Sequence, residues 1–148
     1  MLNWFYKHDG SNSIIFVQES HSSAEVENKW KKRWRGDIIF SHGDTDSRGV
    51  MILLGKHLDS KELFRVISSN GRYIILGLEI CGKSYILINT YAPNDENSQV
   101  NLFNEIQTNI FNLKTPQDAQ IIWGGDFNLY FDLQLEAKGG NPRKNAIQ

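Results

Sequence analysis

Cysteine is all but missing from this chain: Cys81 stands alone, so no disulfide can form within the 148 residues, and a reducing compartment fits. A surplus of one charge is missing too. Sixteen Lys and Arg face seventeen Asp and Glu, for a formal net charge of −1, so any grip on a polyanion must come from a local patch. Long apolar runs are absent, which excludes a membrane-spanning helix. The first ten residues have no basic start followed by an apolar stretch and a small-residue cleavage site, so a secretory signal is not supported and an intracellular protein is expected. Repeats and linkers are absent as well, and the length suits one unit with a real core.

What is present is a succession of short apolar segments. Leu2 to Asp9 reads as a helix stopped by Gly10, and Ile14 to Val17 as a buried strand. Ser22 and Glu25 have the spacing of a capping box, and Val26, Trp30 and Trp34 recur behind them, predicting a helix over about 24–34. Ile38 to Phe40 and Gly49 to Leu54 read as paired strands, and Leu63 to Ile67 with Tyr73 to Ile80 as a hairpin turned at Asn70-Gly71. Cys81-Gly82 turns the chain again into Tyr85 to Ile88, which runs on to Pro93. Val100, Phe103, Ile106, Ile110 and Leu113 mark one helical face, and Ile121 to Trp123 a last strand before a polar, glycine-rich end. Tight turns favour antiparallel pairing, and the natural architecture is two sheets flanked by helices.

Three strands end in conspicuous polar groups: Phe16-Val17 leads into Gln18-Glu19, Leu87-Ile88 into Asn89 and Tyr91, and Ile122-Trp123 into Asp126 and Asn128. A rigid core behind such strand ends can hold catalytic groups still. Each residue also has a plain explanation: a solvated loop carboxylate, a core-edge aromatic, ordinary turn residues. Their order and company argue for a site. Lys29, Lys31, Lys32, Arg33 and Arg35, interleaved with Trp30 and Trp34, fit either a solvated helix face or a phosphate-contacting patch.

Four segments in sequence, Ile15 to His21 (IFVQESH), Ser47 to Val50 (SRGV), Asn89 to Asn94 (NTYAPN) and Gly124 to Asn128 (GGDFN), resemble the successive motifs of the endonuclease/exonuclease/phosphatase superfamily. Trp34-Arg35-Gly36 before Phe40-Ser41-His42-Gly43 is most similar to the apurinic-like endonuclease domains of LINE-type retrotransposons. The resemblance implies an α+β fold, a four-layer α/β/β/α sandwich, with residues 1–148 forming a single partial domain. It implies Mg²⁺, with Mn²⁺ as a substitute, held by Glu19. Tyr91 would sit beside the scissile phosphate, and Asn94 would contact phosphate. Asp126 would position or deprotonate the attacking water, and Asn128 would orient the phosphate, the spacing of two placing both on one side of an extended segment. The implied partner is the DNA phosphate backbone, with no membrane, and the parent enzyme would act in the nucleus.

The sequence departs from the family pattern at both ends. An initial core strand bearing an asparagine has no counterpart, and neither do a later aspartate and a terminal Ser-Asp-His-type motif, since the last His is His57 and the last Asp is Asp132. The expectation is therefore an incomplete sandwich with unpaired sheet edges, prone to self-association, and a chain inactive by itself. Other functions open at this point are a phosphatase-type enzyme for a small phosphoester and a non-catalytic remnant.

Overall fold

The computed structural model describes residues 12–43 and 47–129. The helix expected over Leu2 to Asp9 and the polar C-terminal segment lie outside the described residues.

Among the described residues seven strands and two helices follow one another: β1 (Ile14–Val17), α1 (Glu27–Arg33), β2 (Asp37–Ser41), β3 (Val50–Leu54), β4 (Ser60–Ile67), β5 (Tyr73–Ile80), β6 (Lys83–Tyr91), α2 (Glu96–Asn112) and β7 (Gln120–Asp126). They form a three-stranded sheet in the order β1-β3-β2 and a four-stranded sheet in the order β4-β5-β6-β7. Every pairing is antiparallel except β6 with β7, where α2 makes the crossover that parallel strands need.

Alternation of side chains along the strands sorts the apolar residues into three interlayer clusters. Val50, Ile52 and Leu54 of β3 meet Ile74, Leu76 and Leu78 of β5 and Leu87 of β6 between the sheets. The neighbouring positions Met51 and Leu53 point the other way, toward Trp34 and the half-buried Trp30 of the α1 region. Tyr73, Ile75, Ile86 and Ile88 face Leu102 and Ile106 of α2. Helix, sheet, sheet and helix thus stack as the α/β/β/α sandwich that the motifs implied. Fully buried strand runs such as Val50 to Leu54 reflect sheets covered on both faces.

Four local expectations are corrected. α1 begins at Glu27 with Val26 as a cap that offers no side-chain bond, so Ser22 and Glu25 form no capping box; Ser22 is instead buried among side-chain partners. α2 starts earlier than its apolar pattern, because Asp95 accepts from the Ser98 N–H at 2.9 Å and caps it. Val100 is exposed and does not belong to the apolar face. At Asn70-Gly71 only the glycine has positive φ; the tight two-residue turn with both residues left-handed is Cys81-Gly82, between the partners Ile80 and Lys83.

One polar side chain joins the two sheets. Asn89 of β6 is fully buried, donates through Nδ2 to the carbonyls of Val17 at 3.1 Å and Met51 at 2.8 Å, and accepts from Gln18 Nε2 at 2.6 Å. Val17 and Met51 are register partners at the end of the β1–β3 pair. The buried amide is satisfied only in this arrangement of the sheets. Asn89→Ala removes three hydrogen bonds and leaves a gap between the sheets, and is expected to lower unfolding free energy by about 2–3 kcal/mol. Urea titration checks this, and a loss below about 0.5 kcal/mol would rule out the strut.

Candidate active site at the sheet edge

The strut brings the ends of β1 and β6 together. Glu19 lies two residues past β1 and Tyr91 ends β6, and the Tyr91 hydroxyl donates to Glu19 Oε1. Tyr91 is the register partner of Asp126 at the end of β7, and the Asp126 carbonyl accepts from the Ala92 N–H at 2.8 Å. Phe16 of β1 lies over Gly124 of β7, so close that an added Cβ would stand 3.0 Å from its ring. Glu19, Tyr91 and Asp126 therefore occupy one edge of the molecule.

The loop carrying Glu19 is unusual. Glu19 and His21 both have left-handed backbones, at φ 49° and 47°, a conformation that costs a non-glycine residue about 1–3 kcal/mol when the surroundings must enforce it. Backbone bonds hold the loop: Ser20 N–H donates to the Gly49 carbonyl and His21 N–H to that of Arg48, both at 3.0 Å. Gly49 is packed so closely that a Cβ would lie 2.6 Å from Ser20 Oγ, and its own N–H reaches the Gly71 carbonyl. The Ser-Arg-Gly-Val motif is thus the seat of the Glu19 loop.

The Glu19 carboxylate that accepts its proton, and then burial, raise the pKa of Tyr91 above the ordinary phenol value; the nearby Asp126 charge acts in the same direction. Arg72 stacks its guanidinium 5.1 Å from the Tyr91 ring centre and donates to the Tyr91 carbonyl at 3.2 Å. Burial first, then the charge of Arg48, lower the pKa of Arg72. Arg48 belongs to the Ser-Arg-Gly-Val motif, whereas nothing in the sequence marks Arg72 from other surface cations.

Asn128 departs from its expected placement. The extended segment stops at Asp126, and Asn128 is left-handed at φ 51°, with its N–H on Asp126 Oδ1 at 2.9 Å. Its side-chain Nδ2 donates to the Ala92 carbonyl at 2.7 Å, so Asn128 folds over the β6–β7 junction instead of sharing one side of a strand with Asp126. Gln99 of α2, buried and also missed, donates to the carbonyls of Pro93 at 2.8 Å and Asn128 at 3.4 Å and braces the same turn. Asn94 lies exposed in the β6–α2 loop, three residues beyond Tyr91. In α1 Lys29, Lys32 and Arg33 are exposed and Lys31 pairs with Glu27 at 2.5 Å, while just beyond it Trp34 is buried with its indole N–H on the Leu54 carbonyl and Arg35 is exposed.

A phenol whose folded pKa is raised contributes stability that is fully present below the unfolded value of 10.0 and is lost as pH rises through the folded value. The stability difference between the native chain and Tyr91→Phe should accordingly stay level through neutral pH and narrow above about pH 10. Urea midpoints measured across that range check it; a difference that widens with pH would contradict the Glu19–Tyr91 bond.

No protein-family model matches the chain. In sequence it is 30% identical, over 123 residues, to the transposon TX1 uncharacterized 149 kDa protein of Xenopus laevis; the match covers 83% of this chain and 9% of that protein. In structure it is similar to D. rerio TDP2 complexed with a single-strand DNA product (TM-score 0.61, 20% identity, 93% of this chain and 55% of that one). It is also similar to an AP endonuclease from Archaeoglobus fulgidus (TM-score 0.56, 19% identity, 89% and 52%) and to ANGEL2, a 2′,3′-cyclic phosphatase (TM-score 0.63, 16% identity, 92% and 45%). The chain spans less than a tenth of its transposon relative and about half of these solved proteins. Ordered motifs, the two-sheet fold and sequence likeness to a transposon protein agree: the chain has the fold of these endonuclease and phosphatase neighbours and is similar in sequence to part of a transposon protein.

Proposed function

We propose that this chain is part of a Mg²⁺-dependent phosphodiesterase that nicks a DNA strand, as one partial domain of a retrotransposon endonuclease. The observation that carries this reading is the meeting of Glu19, Tyr91 and Asp126 at one sheet edge, from three strands far apart in sequence. Glu19 and Asp126 are exposed, which suits an extended polymer better than a small phosphoester held in a closed pocket. The TDP2 neighbour with its single-strand DNA product supports the same substrate class.

The residues fit a hard, oxygen-preferring ion. Among the described residues no three His, Cys, Asp or Glu side chains gather, which argues against an all-protein cage. Exposed Glu19 has lone pairs beyond the one used by Tyr91, and Mg²⁺ takes one or two carboxylates and fills its shell with water and phosphate. When bound, the ion would supply Lewis-acid stabilisation of the phosphate, with Mn²⁺ as a substitute. Tyr91, kept protonated, can turn its hydroxyl from Glu19 to a phosphate oxygen. Asp126 can take a proton from the attacking water, and Asn94 can donate to phosphate from its exposed loop. Asn128 is committed to the Ala92 carbonyl, so its contribution to orienting the phosphate is to hold the Asp126 turn.

The chain by itself is expected not to turn over. Its last histidine is His57, and each missing acid or base costs about 10²–10⁴-fold in rate. β7 pairs among the described residues with β6 alone and leaves Ile121, Ile122 and Trp123 exposed, which supports self-association through this edge. Among the described residues no helix is long and apolar enough to cross a membrane, and a DNA-nicking parent would act in the nucleus.

The purified chain should bind Mn²⁺ at one site, lose that binding in Glu19→Gln, bind DNA with salt-dependent affinity, and leave plasmid unnicked in Mg²⁺. Unchanged Mn²⁺ affinity in Glu19→Gln sinks the metal assignment. Robust nicking abolished by Glu19→Ala keeps the site and overturns the inactivity. Sedimentation should show mass rising with concentration, less so in Ile122→Lys.

A further inference from the structure

Beside the Glu19 loop runs a chain of polar side chains that the proposed reaction does not use. Ser20 Oγ donates to Ser22 Oγ at 3.0 Å, Ser22 Oγ lies 3.1 Å from His42 Nδ1, and His42 Nε2 lies 2.9 Å from Glu27 Oε1. Glu27 in turn accepts from Lys31 Nζ at 2.5 Å. The spacing resembles a Ser-His-acid triad, but Ser22 has no exposed surface, so no substrate can reach its hydroxyl. Its chemistry is therefore that of a tie.

The donors and acceptors run in one consistent direction with a neutral imidazole. Ser22, having accepted from Ser20, donates its hydroxyl hydrogen bond to His42 Nδ1, and His42 Nε2–H donates to Glu27, the first residue of α1. Stacking on Phe40, with ring centres 5.3 Å apart, fixes the imidazole plane. The loop so tied holds two left-handed non-glycine residues, Glu19 and His21, and such backbones persist only where several contacts enforce them.

We propose that His42 is a positioning residue for Glu19, holding the strained loop in its site-forming conformation through Ser22 and anchoring it to Glu27 of the basic helix. This rests on the assignment of Glu19 as the metal-holding carboxylate. Removing such a supporting partner typically weakens metal affinity about 10–100-fold.

The full chain is tested by two readouts, amide hydrogen exchange at Ser20 and His21 and affinity for Mn²⁺. His42→Ala should speed exchange at both amides while leaving the β5 amides protected, and should weaken Mn²⁺ binding at least about tenfold. His42→Asn, whose Oδ1 can accept from Ser22 where Nδ1 did, should restore both. His42→Gln, which reaches toward Glu27 but not Ser22, should restore neither fully. Wild-type protection of Ser20 and His21 in His42→Ala overturns the proposal, as does loosened exchange with undiminished Mn²⁺ affinity. Mn²⁺ affinity unchanged in Glu19→Gln instead removes the metal assignment, and the exchange comparison of the Ala and Asn variants still decides whether His42 holds the loop.

Discussion

The satisfied burial of Asn89 is the constraint on which the site depends. Its amide has room for two donations and at least one acceptance, and the carbonyls of Val17 and Met51 and the amide of Gln18 supply them from the opposite sheet. A slip of β6 by one residue would turn this amide out of the inter-sheet space and put an aliphatic side chain against two buried carbonyls. Register in one sheet is therefore locked to the end of a strand in the other, and the loop that follows Val17 starts from a fixed point.

From that point the Glu19 loop is held on several sides. Gly49 supplies a carbonyl and close access, Arg48 a second carbonyl, Ser22 and His42 a side-chain tie, and Tyr91 a hydroxyl on the carboxylate itself. On the other flank, Gln99 and Asn128 pin the turn beyond Asp126 to the backbone around Pro93 and Ala92. The exposed carboxylates of Glu19 and Asp126 thus sit on a rim braced by bonds from both sheets and from α2.

Much of the fold was legible because buried strands announce themselves by β-branched runs, as in Ile14 to Val17, Val50 to Leu54 and Tyr85 to Ile88. Local patterns misled where tertiary contacts outcompeted them. Ser22 has the spacing of a helix cap, but His42, twenty residues away, claims its hydroxyl. Asn70-Gly71 has the composition of a tight hairpin turn, but the Gly71 carbonyl serves Gly49, and Ser68 accepts from the amides of Arg72 and Tyr73 within a wider loop. The two-residue turn fell to Cys81-Gly82, where no such partner intervenes. For the candidate site, Glu19, Tyr91, Asp126 and Asn89 stand out in the sequence because polar residues at strand ends survive as a linear pattern, whereas Arg72 and Gln99 owe their places to partners that only the fold brings near.

The sequence by itself determined which segments are strands and helices, which faces are apolar, and which polar residues end the strands, because these follow from local periodicity and the chemistry of each side chain. Only the tertiary structure decided that three of those strand ends share an edge, that Asn128 turns to the Ala92 carbonyl, and that His42 reaches Ser22 and Glu27. Hydrogen-bond partners across sheets are set by strand order and register, and those are fixed by burying all three apolar clusters at once.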